Sequence, residues 1–145
     1  MSFAHAARSY ARVAVESSVS TADPHQLVVM LYDGAIAALN QAHGHLAAGR
    51  VAEKAEQISR AARIIDEGLK AGVDVEAGGA IGQQLVSLYE YMSMRLLQAN
   101  LRNDAGALEE VVRLLSGLRS AWVGIKQTPA GRPAAAGAAR VAVAA

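Results

Sequence analysis

Apolar residues recur at steps of three and four along most of the chain, which is the spacing of one face of an α-helix. The first helix has a clear start, because Asp23 can accept a hydrogen bond from a free amide of the first turn. Pro24, which follows it, has no amide hydrogen to leave unpaired there. The pattern therefore predicts a first helix from Pro24 to about Ala48, before Gly49.

A second helix is predicted from Val51 to about Lys70. Its apolar positions, at helical spacing, are Val51, Ala55, Ile58, Ala62, Ile65 and Leu69. Its other face carries charged residues, some of them in i,i+4 pairs such as Glu56 with Arg60. This charge pattern is typical of a face in contact with solvent.

A turn rich in small residues over residues 76–79 separates the second helix from a third, predicted from about Ala80 to Arg102. A fourth helix is predicted from about Ala105 to Lys126. Its heptad-like seam consists of Leu108, Val111, Leu115, Leu118, Trp122 and Ile125. Helices of this length with short connections predict an all-α fold, an antiparallel four-helix bundle with a short N-terminal docking segment or helix.

The two ends of the chain differ from the bundle, predicted over residues 21–128. Residues 1–20 have apolar groups at roughly helical spacing, but an isolated helix of this length is marginal in water. We expect this segment to dock as a lid on another surface or to fray. Residues 129–145 are rich in alanine and glycine, and we expect a flexible tail outside the core.

The first and third predicted helices are more apolar than a bundle core requires. Residues 27–39 read LVVMLYDGAIAAL, where only Asp33 is charged. The third helix has apolar residues around most of its circumference. Because no helix of a four-helix bundle is fully surrounded, the surplus favours an apolar partner groove over burial alone, although both interpretations stay open. The N-terminal segment could cover such a groove when no partner is bound.

The amino-acid composition and the charge of the chain limit the classes of protein to which it can belong. The 145 residues suit one domain and are 52% hydrophobic but only 4% aromatic. A formal charge of +1 gives no sign of a nucleic-acid-binding face. Cysteine is absent, and neither a signal peptide nor an apolar stretch of membrane-spanning length is apparent. We therefore expect a cytoplasmic protein with no membrane insertion and no nucleic-acid partner.

The residues that usually perform catalysis or bind metals are not arranged for it. His43 and His45 are two residues apart and have no partner ligand at the i+3 or i+4 spacing of helical metal sites. The adjacent carboxylates Glu109 and Glu110 lie on a predicted polar face. We therefore expect no enzyme activity, no cofactor and no metal. A ligand-binding or metal-binding bundle is the rival class, and it would require inward-facing Glu and His.

Three segments resemble the flagellar secretion chaperone family. SYARVAVESSVSTADPHQLVVMLYDGAIAAL, residues 9–39, is similar to the family's opening, a tyrosine-containing segment before an LIxMLYDGA-like helix. IIDEGLKAGVDVEAGGAIGQQLVSLYEYMSMRLLQANLRND, residues 64–104, resembles its second signature. LEEVVRLLSGLRSAWVGI, residues 108–125, looks like its closing helix.

The resemblance implies a chaperone that binds the disordered C-terminal segment of flagellin, prevents its premature polymerisation and presents it to the flagellar export gate. It also implies that Ala7, Tyr10 and Val13 occupy the groove when cargo is absent. A regulator that binds an anti-sigma factor is the alternative, and a homodimer is left open. The proposed partner-binding residues are Tyr10, Val13, Leu27, Met30, Leu31, Ile36, Leu88, Tyr89, Met92 and Leu96.

Overall fold

A computed structural model describes residues 23–126 of the chain, and its helices follow the order predicted. The elements are α1 Pro24–Ala47, α2 Val51–Arg63, a π-helix Ile64–Lys70 that continues α2, α3 Val75–Arg102 and α4 Ala105–Lys126. Tyr10, Val13, the predicted lid and the predicted tail lie outside the described residues.

Aspartate side chains cap the starts of α1, α3 and α4. Asp23 accepts a hydrogen bond from the backbone amide of Gln26 at 2.8 Å, as the sequence predicted. Asp104 accepts one from the backbone amide of Ala107 at 3.2 Å and so marks the start of α4. Each cap satisfies an amide that has no partner within its own helix.

The start of α3 differs from the predicted turn. Asp74 accepts a hydrogen bond from the backbone amide of Ala77 at 3.0 Å, and this cap starts a helical turn at Val75. Gly79 then interrupts the helix, with φ 57° and ψ −134°. This backbone conformation suits glycine, which has no Cβ to clash. The uninterrupted part of α3 therefore begins at Ala80, where the sequence predicted the helix to start.

The second helix ends as a π-helix rather than as the predicted regular α-helix. In the π-helix Ile64, Ile65 and Leu69 are all buried. Gly68 lies against α1, where an added Cβ would be 3.0 Å from Leu31 Cδ2. A residue with a Cβ at this position would require the Leu31 side chain to move.

The helices form an antiparallel four-helix bundle. α1 packs against α2 and α4, and α3 packs against α4 and the π-helix. Hydrogen bonds show the antiparallel directions, because Asp33 and His43 of α1 pair with Arg119 and Glu109 of α4. α1 and α3 are a diagonal pair, and their outer faces point to opposite sides of the bundle.

The core joins all the helices, and two tyrosines lie at its centre. The seam predicted for α4 is confirmed, since Leu108, Val111, Leu115 and Trp122 are buried and Leu118 and Ile125 pack against them. Across the diagonal, the hydroxyls of Tyr32 and Tyr89 share a buried hydrogen bond of 2.6 Å. Each hydroxyl is the partner of the other, so neither polar group is buried without a hydrogen bond.

The tyrosine pair makes stability depend on pH in alkali. Burial raises the pKa of Tyr32 and of Tyr89, and the neighbouring Tyr32 raises that of Tyr89 further. An unfolded tyrosine titrates near pH 10. Above that pH the unfolded chain has lost protons that the folded chain keeps, so the free energy of unfolding falls as the pH rises. Below it the contribution is fully present.

We expect urea unfolding between about pH 9 and about pH 11.5 to show this loss, and a Tyr32→Phe/Tyr89→Phe double variant to show a shallower one. The double variant retains every lysine and arginine, so the difference between the two curves belongs to the tyrosines. Parallel curves for the two proteins would contradict the prediction.

Among the residues that the structure describes, one charged side chain is buried, and the sequence pattern did not indicate it. Lys54 of α2 is 1% exposed. Its Nζ donates hydrogen bonds to the Asn100 carbonyl at 2.9 Å and to Asn103 Oδ1 at 2.7 Å. Asn103 is the left-handed C-cap of α3, with φ 53°. The ammonium group therefore satisfies the C-terminal end of α3, where a positive charge is favourable.

At the opposite end of the bundle, His25 and Trp122 join α1 to α4. Their rings stack with centroids 4.8 Å apart and an interplanar angle of 12°. His25 Nε2 donates to the Trp122 carbonyl at 2.7 Å, and Trp122 Nε1 donates to the His25 carbonyl at 2.9 Å. We call this pair the His25–Trp122 latch. Trp122 is buried, as its place in the predicted seam of the fourth helix indicated.

Candidate functional site: an apolar stripe on the third helix

The apolar surplus of the third helix reaches the surface as a continuous stripe. Met94, Leu97 and Leu101 are 47%, 58% and 73% exposed. Their spacing of three and four residues places them on one face of α3. The residues that α3 contributes to the core are on its other side, at Leu85, Tyr89, Met92, Leu96 and Ala99. We call Met94, Leu97 and Leu101 the α3 stripe.

Polar contacts border the stripe on the side of α4. Glu110 of α4 accepts hydrogen bonds from the Tyr91 hydroxyl at 2.7 Å and from Arg95 Nε at 2.6 Å. The hydrogen bond from Tyr91 and then that from Arg95 lower the pKa of the Glu110 carboxyl group. On this side, the α3 stripe is therefore bordered by charged residues that hydrogen-bond to one another.

A second polar border lies on the side of the π-helix. Ser93 Oγ donates to Asp66 Oδ1 at 2.9 Å, and Lys70 Nζ lies 3.7 Å from Glu90 Oε2. An apolar centre with polar margins is the usual anatomy of a protein-binding surface. The arrangement suits an apolar helix face or an extended segment with apolar side chains.

The described residues that were predicted to bind a partner are partly buried in the core and partly half-buried at its edge. Leu31, Tyr89, Met92 and Leu96 are buried in the core. Leu27, Met30, Ile36 and Leu88 are half-buried, and of these Ile36 and Leu88 pack against the core. Contact of the four core residues with a partner stays a prediction, and it would require the partner to open the bundle.

The half-buried apolar residues of α1 and the α3 stripe do not share one groove. Leu27 and Met30 are half-buried on α1, whereas the α3 stripe lies on the diagonal helix. A single straight helix cannot cover both faces at once. A partner that contacts both surfaces must pass around the bundle.

The α3 stripe was present in the sequence, but our site prediction did not include it. Met94 and Leu97 belonged to the apolar surplus, while Leu101 was not distinguished. The available signal was a second apolar series on α3, at 94, 97 and 101, displaced around the helix from the core series. Without the positions of the neighbouring helices, the sequence pattern alone does not show which of the two series faces the core.

Over residues 23–126, no cluster of three or more His, Cys, Asp and Glu could hold a metal ion. None of the helices described is long and apolar enough to cross a membrane. The tyrosine hydroxyls at the centre are sealed inside the core.

Comparison with known proteins shows the family. The model of the flagellar protein FliS family matches residues 6–129. The flagellar secretion chaperone FliS of Salmonella typhimurium is 56% identical over 115 residues, which are 79% of this chain and 85% of that protein. FliSB of Pseudomonas aeruginosa is 41% identical over 120 residues, 83% of this chain and 94% of that protein. FliS of Bacillus subtilis is 33% identical over 108 residues, 74% of this chain and 78% of that protein. The chain therefore belongs to the family of flagellar protein FliS.

Proposed function

We propose that this chain is a non-enzymatic export chaperone for flagellin. It binds the disordered C-terminal segment of flagellin in the cytoplasm, prevents premature polymerisation and assists delivery to the flagellar export gate. Support comes from membership of a family whose relatives carry the name flagellar secretion chaperone. The observation that carries the proposal is the α3 stripe, an apolar surface that the described bundle leaves uncovered.

The position of the apolar surfaces favours a disordered cargo over a folded one. The α3 stripe and the half-buried residues of α1 lie on opposite sides of the bundle. A disordered segment can pass around the molecule and cover both, whereas a compact partner would reach one. Ordering the segment costs free energy, so affinity stays moderate for the area covered, which suits cargo that must be released. Tyr10 and Val13 remain proposed contacts or lid residues.

The test is a titration of the full chain with a peptide from the C-terminal end of flagellin, followed by calorimetry and NMR. We expect saturable binding with a negative heat-capacity change, because apolar surface is buried. We also expect the peptide resonances to disperse as the segment becomes ordered. A peptide that stays disordered in the mixture would overturn the proposed function.

A paired substitution tests the role of the α3 stripe. We expect Leu97→Gln with Leu101→Gln to weaken binding of the flagellin peptide by about tenfold or more, because two exposed apolar contacts are lost. Glutamine is a good helix former and both positions are exposed, so the melting temperature should change little.

The matched control is Ile81→Gln. Ile81 is 54% exposed on the same helix but lies outside the stripe, near the other end. We expect this variant to bind the peptide like the unaltered chain. Equal weakening by the control and by the stripe variant would show that α3 has no localised site.

A further inference from the structure

The start of α3 carries a second exposed apolar surface, apart from the α3 stripe. Val75 and Ile81 are 38% and 54% exposed. The first turn of the helix folds back at the Gly79 kink, and an added Cβ at Gly82 would lie 3.5 Å from Val75 Cα. The backbone of Val75 is therefore close to that of Ile81, which precedes Gly82 in the chain. We call Val75 and Ile81 the α3 entry patch.

Negative charge lies beside the α3 entry patch. Asp74 and Glu76 flank Val75 in the chain, and both are exposed. Asp74 Oδ1 accepts the hydrogen bond from the Ala77 amide that caps the helix. An occupant that matches this surface needs aliphatic side chains with a positive charge next to them, because opposite charges select and orient a partner.

The chain leaves the bundle at the same end. α4 runs antiparallel to α3 and ends at Lys126. Tyr91 and Arg95 of α3 both donate hydrogen bonds to Glu110 of α4, and these contacts show which parts of the two helices lie level. At a rise of about 1.5 Å per residue, Lys126 lies about 24 Å beyond Glu110 along the bundle. Ile81 lies about 15–21 Å from the two α3 donors in the same direction, so the residues after α4 start near the α3 entry patch.

The residues after α4 carry both features that the α3 entry patch requires. Residues 127–145 include two large aliphatic side chains, Val141 and Val143, which follow Arg140. They also include Arg132 and contain no aspartate or glutamate. The match to the family model ends at residue 129, so these features lie beyond the part of the chain that the family shares.

The length of the connection favours the α3 entry patch over the α3 stripe. A random-coil connection as long as residues 127–139 spans about 20 Å. This distance is enough to cross from α4 to the neighbouring α3, because packed helix axes are about 8–10 Å apart. Leu101 of the stripe lies about 30 Å further along α3 than Ile81. The effective concentration of the linked segment is therefore higher at the entry patch.

We propose that Val141 and Val143 pack on the α3 entry patch. Arg140 lies beside them and pairs with the acidic side chains that flank Val75. The contact holds the C-terminal extension against the end of the bundle from which it leaves, and it keeps the α3 stripe free for cargo. This inference goes beyond the proposed function and does not depend on it.

The test is paramagnetic broadening of amide NMR signals in the full chain. The chain has no cysteine, so Ala138→Cys provides a single site for a nitroxide spin label. We expect the label to broaden the signals of residues 74–82, and Ile81→Gln to reduce this broadening by about twofold or more, because apolar contact is lost. Met94→Gln is the matched control, since Met94 is 47% exposed on the same helix, and it should leave the broadening unchanged.

A second variant places the change outside the described bundle. Val141→Gln with Val143→Gln should reduce the broadening as Ile81→Gln does, and it keeps the test decisive if Ile81→Gln impairs folding. Equal broadening in both variants and in the labelled parent chain would overturn the proposal, because the label would then report only the covalent connection. Broadening of residues 94–101 in place of 74–82 would overturn it by placing the extension on the α3 stripe. Broadening of equal strength between separate labelled and unlabelled chains would assign the patch to a second copy.

Arg140→Gln tests the ion pair separately. We expect this variant to reduce the broadening at low salt and to match the labelled parent chain at high salt, because salt screens an exposed ion pair. A variant that matches the parent chain at both salt concentrations would overturn the ion pair.

Discussion

Replacing Trp122 with alanine is expected to lower the free energy of unfolding by about 3–5 kcal/mol. Trp122 is 4% exposed and packs in the core at the end of α4. The substitution removes the largest apolar side chain of the α4 seam together with the ring stack on His25. It also leaves the His25 carbonyl without the hydrogen bond that Trp122 Nε1 donates. Small domains have a total stability of about 5–15 kcal/mol, so the loss is a large share.

Two further substitutions separate the contributions to the latch. Trp122→Phe keeps an aromatic ring but removes the Nε1–H donor, so we expect a smaller loss than with alanine. His25→Ala removes the ring stack and the hydrogen bond to the Trp122 carbonyl, and keeps the tryptophan in place. The losses of Trp122→Ala and His25→Ala, compared with the loss of the variant that carries both substitutions, give the coupling between the two rings.

Unfolding should be followed by far-ultraviolet circular dichroism in urea. Trp122 is the only tryptophan of the chain, so its fluorescence is lost with the side chain. In the His25→Ala variant, fluorescence remains available and reports on the surroundings of Trp122. A Trp122→Ala protein within about 1 kcal/mol of the unaltered stability would show that α4 is held without this anchor.

Removing both hydroxyls of the central tyrosine pair is expected to cost less than the sum of the two single removals. Tyr32→Phe or Tyr89→Phe alone leaves the other hydroxyl buried without a partner, at a cost of about 1–3 kcal/mol. The double variant removes both polar groups from the core, and its loss should be smaller than the sum of the single losses. The losses are expected to be non-additive because the hydrogen bond between the two hydroxyls, which are 2.6 Å apart, is buried.

The measurement is a double-mutant cycle on the free energy of unfolding. Tyr91→Phe serves as the control, because Tyr91 is 37% exposed and its hydroxyl donates to the surface residue Glu110. Water can replace that hydrogen bond, so the change should stay within about 0.5 kcal/mol. Additive losses for Tyr32→Phe and Tyr89→Phe would contradict the prediction, because they would show that the two hydroxyls are satisfied independently.

Local chemistry allowed much of the secondary structure to be predicted. The Asp23–Pro24 start, the Gly49 break and the heptad seam of α4 each act within a few residues, and the structure confirms all three. The charged face of α2 was also predicted correctly, because Glu53, Glu56 and Arg60 are exposed. Such features depend on caps and on the helical period, which neighbouring elements alter little.

Features that depend on a second helix were not predicted. The π-helix lies where Gly68 closely approaches Leu31 of α1, and the burial of Lys54 depends on the C-terminal end of α3. The residues around Lys54 in α2 do not indicate its acceptor, the Asn100 carbonyl, which is more than 45 residues away in the chain. The sequence also did not show that Tyr89, Met92 and Leu96 lie in the core, and their contact with cargo stays a prediction.

The sequence by itself determined the helices, their order and a surplus of apolar surface, because each of these follows from spacing and local capping along one chain. The tertiary structure decided which apolar series of α3 faces the core, and it placed the α3 stripe and α1 on opposite sides of the bundle. The physical reason is that burial depends on neighbours. Two apolar series on one helix are equivalent until the other helices cover one of them and leave the other exposed to a partner.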